Sequence, residues 1–381
     1  MDVRPLPARL SVIVALCATL SLAPVGYASE QQVLDAYQHY LKALEANDPV
    51  QTEAHAREAY QLAVKLLDES TPQIAALAMN WAGALEALAK QRPEGMDSEA
   101  YLAHRKQVRE QAFERYQDAL SHYERIEGKE SEQLIEPLLG LGALSKEARQ
   151  ANAYYQRAIA ISEGTPLRQA SIQILAFDRL KQNPETVKAA KSHLLDAIEV
   201  YQKQLPENHS SRIEAEFRLG MMYAALGKRN KAIDALEGVV EQYEVLDFDH
   251  PLSLASRTRL VVLYERQGDR EKATEHCVAV GQMRPWQESQ EQVPLYRKEP
   301  SYPLQAARKG REGFAVLEFT VDEQGFVTDP KIIESEGGKD FERESIQALQ
   351  QWRYAPRFED GQAVPAKSLV RLDFSLGRPG Q

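Results

Sequence analysis

The side chains of this chain that could do chemistry are few and badly spaced for it. There is no His-Glu-x-x-His, no pair of cysteines at ligand spacing and no phosphate loop. Gly140-Leu141-Gly142 opens like a dinucleotide fingerprint, but Ser145 stands where the third glycine belongs and no strand precedes it. Close packing between helices is the simpler use for that glycine. His209 and His250 recur 41 residues apart, which predicts a role at helix starts or between repeats rather than on a metal. His276 and Cys277 are neighbours on one helix and so point in different directions; Cys277 falls at a packing position. No catalytic residue, cofactor or metal site is predicted. The chain reads as a binding protein and not as an enzyme.

Composition narrows the classes further. The 381 residues exceed one ordinary domain, and the formal charge is −10. Asp2, Arg4 and Arg9 give Met1 to Ala28 a net +1, which leaves −11 on the rest. Nucleic acid is disfavoured, because its binders need a basic stripe to displace counterions. Residues 1–28 read as a secretory signal. Arg4 and Arg9 start it, Leu10 to Ala23 is an apolar run of 14 residues, and Gly26-Tyr27-Ala28 ends it with small-x-small. The run is short of the roughly 20 residues that span a bilayer. Export to the periplasm with cleavage is expected. The alternatives are an uncleaved anchor in the inner membrane and a lipoprotein at Cys17, before which Val14-Ala15-Leu16 is a poor match. Once the signal is removed, Cys277 is the one cysteine left and no internal disulfide can form.

Residues 30–284 are rich in Ala, Leu, Glu, Gln and Arg, the strong helix formers. Pro49, Pro72, Pro166, Pro251, Gly128, Gly227 and Gly268 fall where helices would start or stop. A period of 41 relates Leu219 to Leu260, Tyr223 to Tyr264, Gly227 to Gly268 and Ala232 to Ala273. Leu219 and Tyr223 lie one above the other on a helix, Gly227 allows the chain to turn back, and Ala232 lets a second helix approach. Such a unit cannot bury its apolar face alone and must stack into a solenoid. Leu219-Gly220-x-x-Tyr223-x-x-x-Gly227 and Leu260-x-x-x-Tyr264-x-x-x-Gly268, with Ala273 and Pro285, resemble the tetratricopeptide (TPR) repeat in its longer form, as does Asp249-His250-Pro251. Val261 replaces the usual small residue. A degenerate copy lies in Leu139–Ala158, and weaker ones lie near Ala36–Leu67, Pro72–Leu88 and Asp178–Ala197. Such arrays bind proteins.

The pattern then changes. Residues 285–298 are Gln- and Glu-rich and read as a linker. In Phe314 to Val321 the alternation places Ala315, Leu317, Phe319 and Val321 on one face of a strand. Asp322-Glu323-Gln324-Gly325 is a hairpin turn, and Phe326 to Glu334 a second strand in which Pro330 implies a sheet edge or a bulge. After Gly337-Gly338, Lys339 to Gln351 is an amphipathic helix with Phe341, Ser345, Ala348, Leu349 and Trp352 on one stripe. Ser368 to Leu376 is a last strand with Val370, Leu372, Phe374 and Leu376 inward. The fold class expected is multidomain: an all-α TPR-like solenoid followed by a small α+β (ββαβ) domain over 299–378.

That domain resembles the C-terminal domain of the TonB family. The residues that carry the resemblance are Tyr302-Pro303, Ala306, Gly310, Glu312-Gly313, Asp322-x-x-Gly325, Phe341, Ala348, Trp352-Arg353-Tyr354-x-Pro356 and Gly361-x-x-Val364. The resemblance implies a periplasmic protein whose domain binds the TonB box of an outer-membrane transporter, or another periplasmic protein, by strand addition. The edge concerned is Leu369, Val370, Arg371, Leu372, Asp373 and Phe374, aided by Glu299, Pro300 and Ser301 before Tyr302-Pro303. Many members carry Gln where this chain has Glu299, which offers no amide donor. Tyr302, Pro303, Phe341, Trp352 and Tyr354 are expected in the core, and Arg353 beside a carboxylate or a helix end. The array would recruit a second protein, such as the ExbB–ExbD complex or a TonB transducer; a homodimer through the last domain is a further expectation. Family transducers carry an uncleaved membrane helix with a His, and Leu10 to Ala28 has none. Binding is thus expected without force generation. The competing expectation is an envelope adaptor with no role in transport.

Overall fold

The structure is a computed structural model, and it describes residues 27–245, 250–283 and 292–376. Residues 1–26 of the expected signal, Asp249 and residues 285–291 of the expected linker lie outside the described residues, while Tyr27 and Ala28 at the expected cleavage site begin a helix. The chain divides into two compact units, 1–206 and 207–381. Among the described residues no helix is long and apolar enough to cross a membrane.

The first unit is built from α1 (Tyr27–Glu45), α2 (Pro49–Leu66), α3 (Pro72–Leu88), α4 (Ser98–Glu127), α5 (Ile135–Leu144), α6 (Ala148–Ile161), α7 (Pro166–Leu180) and α8 (Val187–Gln204). Successive helices pair as hairpins. Proline opens α2, α3 and α7, where its missing N–H is not needed. Asp48 caps α2 by accepting from the N–H groups of Val50 and Gln51. Alanines such as Ala59, Ala63, Ala75, Ala112, Ala151 and Ala158 are buried along the seams and let the helices approach, while Tyr40, Leu77, Trp81 and Leu85 fill the space between.

The second unit begins with two further hairpins, α9 (Ser210–Ala225) with α10 (Arg229–Glu244), and α11 (Pro251–Gln267) with α12 (Arg270–Met283). His209 and His250 are helix starts, as their spacing predicts: each Nδ1 accepts from the backbone N–H two residues on, at 3.2 and 3.1 Å. Gly268 ends α11 at φ +88°, and Gly227 turns at φ +69°. Ala232, Leu260, Tyr264 and Ala273 share one apolar cluster. His276 bonds Glu237 and stacks on Tyr264.

The helices give way to a three-stranded antiparallel sheet of β1 (Gly313–Val321), β2 (Val327–Glu336) and β5 (Ala366–Phe374), in the order β2-β1-β5. Helix α14 (Lys339–Leu349) lies against β1 and β2. A short helix α13 (Leu304–Arg308) and a hairpin of β3 (Arg357–Glu359) and β4 (Gln362–Val364) complete the module. The sequence pattern shows neither, because three-residue strands and a five-residue helix carry no period. Every second residue of β1 from Ala315 to Val321 is buried, with Leu349, Trp352, Tyr354 and Leu372 against them. Pro330 meets both expectations: β2 is an edge, and Asp329, at φ +49°, belongs to a bulge opposite Phe319.

The linker expectation needs correction over 292–298. This stretch is not a free tether. Tyr296 forms an antiparallel bridge with Arg353, and Leu295 is buried with Val261, Cys277 and Val280.

Candidate peptide-binding edge and its anchorage

Strand β5 has one partner. It pairs with β1 over its whole length, from Gly313↔Phe374 to Val321↔Ala366, and no strand among the described residues lies on its other side. Its side chains alternate. Leu372 and Phe374 are buried and Val370 half-buried, while Leu369, Arg371 and Asp373 are exposed. Leu369 is 64% exposed, a large apolar side chain in water beside an open backbone edge. Arg371 lies over the ring of Phe314 at 3.7 Å and donates from Nε to Asp373 at 2.9 Å. Lys367 reaches Glu318 at 3.6 Å. The edge is therefore moderately charged rather than hydrophobic, which guards an open strand against unwanted pairing.

The segment before the module approaches the far end of the same strand. Glu299 and Ser301 are exposed and Pro300 is half-buried. The Glu299 carboxylate is engaged by Arg297, at 3.0 Å from Nε and 3.3 Å from Nη2. Tyr302 then packs edge-on against the contacting pair Phe341 and Phe374, with centroids at 5.7 and 5.8 Å, and its hydroxyl donates to Arg311 O. Ser301 is thus one residue from a contact with the last residue of β5, whereas Leu369 to Leu372 lie farther along the strand. Pro303, Phe341, Trp352 and Tyr354 are buried. Glu312 holds the chain beyond β5 by accepting from Leu376 N–H at 2.7 Å.

Residues 298–376 match the family described as Gram-negative bacterial TonB protein C-terminal. The chain ends in a TonB C-terminal domain. Protein TonB of Pseudomonas aeruginosa is 32% identical over 83 residues, which is 22% of this chain and 24% of that protein. The chain spans about a quarter to a third of the length of the curated relatives it matches. The solution NMR structure of the Pseudomonas aeruginosa TonB CTD is 29% identical and covers 24% of this chain and 94% of that one, with a TM-score of 0.22. Over the helical region the chain is similar to the apo form of RapI, at 14% identity, covering 66% of this chain and 76% of that one, with a TM-score of 0.43.

What the TonB domain rests on is the part the sequence reading missed. Arg353 is wholly buried. Its Nη1 donates to Glu265 of α11 at 2.5 Å, and its Nη2 donates to Thr274 Oγ1 of α12 at 2.9 Å and to Gln324 O at 3.0 Å. The guanidinium also lies 3.8 Å from the centroid of Phe326, which Arg270 approaches at 5.1 Å. The Glu265 side chain is 7% exposed, so the ion pair is buried at both ends. A carboxylate was expected beside Arg353; its source in the last repeat was not. Backbone contact is as close. A Cβ on Gly281 of α12 would stand 2.5 Å from Pro356 O, and one on Gly325 would stand 2.2 Å from Tyr354 O and 3.5 Å from Cys277 Cβ. Burial pushes the Cys277 thiol up to about 12, with Glu265 adding to the shift and Arg353 opposing it. Two signals in the sequence point here. Val261, the departure from the repeat pattern, is buried against this contact, and Gly281 is a helix glycine without a turn to serve.

Proposed function

We propose that this chain is an envelope protein whose TonB domain binds an extended peptide, the TonB box of an outer-membrane transporter, as an added strand on β5. The observation that carries this reading is the outer edge of β5, which among the described residues pairs with β1 alone and is lined by Leu369, Arg371 and Asp373. Strand addition needs such an edge, and backbone hydrogen bonds of roughly 0.5–1.5 kcal/mol each supply the contact. Glu299, Pro300 and Ser301 would flank the peptide near Phe374. The helical array recruits a second protein, with the ExbB–ExbD complex or a TonB transducer as the candidates, and export places both parts in the periplasm.

A second reading rests on Glu299. Its carboxylate is satisfied by Arg297 and offers a peptide no amide donor, which favours an adaptor that holds a different envelope protein. Crosslinking in cells from a photoreactive residue at Arg371 separates the two. Capture of an outer-membrane transporter supports the first. Capture of a second copy, or of an envelope protein that is not a transporter, rejects it.

A further inference from the structure

We propose that the groove between the first half of α4 and the turn from α5 into α6 seats an amphipathic helix with acidic flanks, carried by the second protein that the array recruits. This deepens the recruitment reading and rests on it.

The groove follows from helix lengths. α4 has 30 residues and α5 has 10. α5 ends at Leu144, which shares an apolar cluster with Phe113 in the middle of α4. Residues 145–147 then turn into α6, and the half of α4 before Phe113 runs on past them. A cavity of about 750 Å³ lies there, on the second helix of each hairpin. That is roughly half the volume of a three-turn helix about 10 Å across. Leu102, Lys106, Arg109 and Phe113 recur along one face of α4 and line the groove, with Arg105 beside them. From Leu102 to Phe113 is three turns, about 16 Å. Leu102 is 60% exposed at one end, a large apolar side chain in water. Phe113 and Leu144 are half-buried at the other, and Tyr154 holds the Phe113 ring edge-on at 6.5 Å. Such spaced apolar contacts suit a helix that presents anchors at i, i+3, i+4 and i+7.

Charge selects the flanks of that helix. Arg105, Lys106, Arg109 and Lys146 line the groove against Glu110, Glu114 and Glu147, a positive balance in a chain of net charge −10. Glu110 is met by Lys146 at 2.8 Å and Glu114 by Arg115 at 3.5 Å. Arg105 and Lys106 stand exposed at the rim, where their long stems carry the charge toward a docked acidic flank. A bilayer surface is a plane and does not enter a recess, so the occupant is protein.

The probe is a fluorescein-labelled peptide with leucine at i, i+3, i+4 and i+7 and glutamate on its flanks. A hydrocarbon staple holds it helical, because short helices are marginal in water. Added to the full-length chain it should bind, and a scrambled stapled peptide of the same composition should not. Arg105→Glu combined with Lys106→Glu should weaken it roughly tenfold or more and make a lysine-flanked peptide the better ligand. Leu102→Asp should weaken the acidic peptide too. All three side chains are exposed, so the melting temperature should stay that of the native chain. No binding, equal binding of the scrambled peptide, or a charge swap without reversal of preference overturns the proposal. In cells, photoreactive residues at Leu102 and at Leu175, which is 46% exposed on α7, separate its failure from that of the recruitment reading. A cross-link from Leu102 to an acidic helical segment supports the proposal, and one to phospholipid overturns it. Protein captured from Leu175 alone overturns it and leaves the array a recruiter. Protein captured from neither overturns both.

Discussion

The guanidinium of Arg353 and the carboxylate of Glu265 meet at 2.5 Å although 88 residues separate them in the chain. One comes from the Trp-Arg-Tyr-x-Pro stretch that follows α14 in the TonB domain and the other from the last turns of α11. With Phe326, Thr274 and Leu295 around them, they make the last repeat part of the TonB domain's foundation. The second unit thus joins α9–α12 to the module.

Removing one partner of this pair should destabilise the second unit strongly. Arg353→Met leaves Glu265 charged, buried and alone, which costs about 3–5 kcal/mol. Urea unfolding followed by Trp352 fluorescence should show the loss. Arg353→Met combined with Glu265→Leu should be less damaging than Arg353→Met alone, because no lone charge remains.

A fall in stability with acid is expected from two histidines. Burial disfavours the imidazolium of His250 and of His193, against the weaker pull of Glu214 and Asp196, so both titrate below their ordinary value. The neutral form also suits His250, whose Nδ1 must accept from Leu252 N–H. In the unfolded chain each protonates near about 6.5. The unfolded state therefore takes up protons first as pH falls. Stability is full above about 6.5 and is lost as pH drops from there through the folded values. The melting temperature should be lower at about pH 5.5 than at about pH 7.5. His250→Asn keeps a capping acceptor without a charge to gain, and its melting temperature should fall less over that range.

Cys277 should be inert until the second unit opens. Its thiol is buried and raised to about 12, so little thiolate forms at neutral pH. Iodoacetamide labelling of Cys277 should be negligible in the native chain and should follow the unfolding of the second unit in urea. Fast labelling without denaturant would mean that the contact of α12 with the module opens readily.

Proline placed along β5 should give an alternating result. On an antiparallel edge, successive N–H groups point inward to β1 and outward to the open side. Proline at Val370, Arg371 and Leu372 in turn should therefore fall into two classes. One parity should lose a ladder bond to β1 and lower the melting temperature. The other should leave the ladder and abolish TonB-box peptide binding. If proline at the outward-pointing parity leaves peptide binding intact, strand addition at β5 is wrong.

The sequence by itself determined the parts. Period set the elements: alternation at Ala315, Leu317, Phe319 and Val321 can only make a one-sided strand, and the 41-residue recurrence of Tyr223, Gly227 and Ala232 can only make helical hairpins. Local chemistry set the ends, since a proline at N1, a left-handed Gly268 and the Asp322-x-x-Gly325 turn act within a few residues. The edge position of β5 came from family resemblance and agrees with the observed strand order. The short hairpin of β3 and β4 was not legible, because three residues are too few to show a period. Nor was the docking of the module on α11 and α12. Nothing near Arg353 in the chain names Glu265, and the linker stretch rich in Gln and Glu carries no apolar period that would place Leu295 among Val261, Cys277 and Val280. Elements follow from neighbours in sequence; partners follow from neighbours in space.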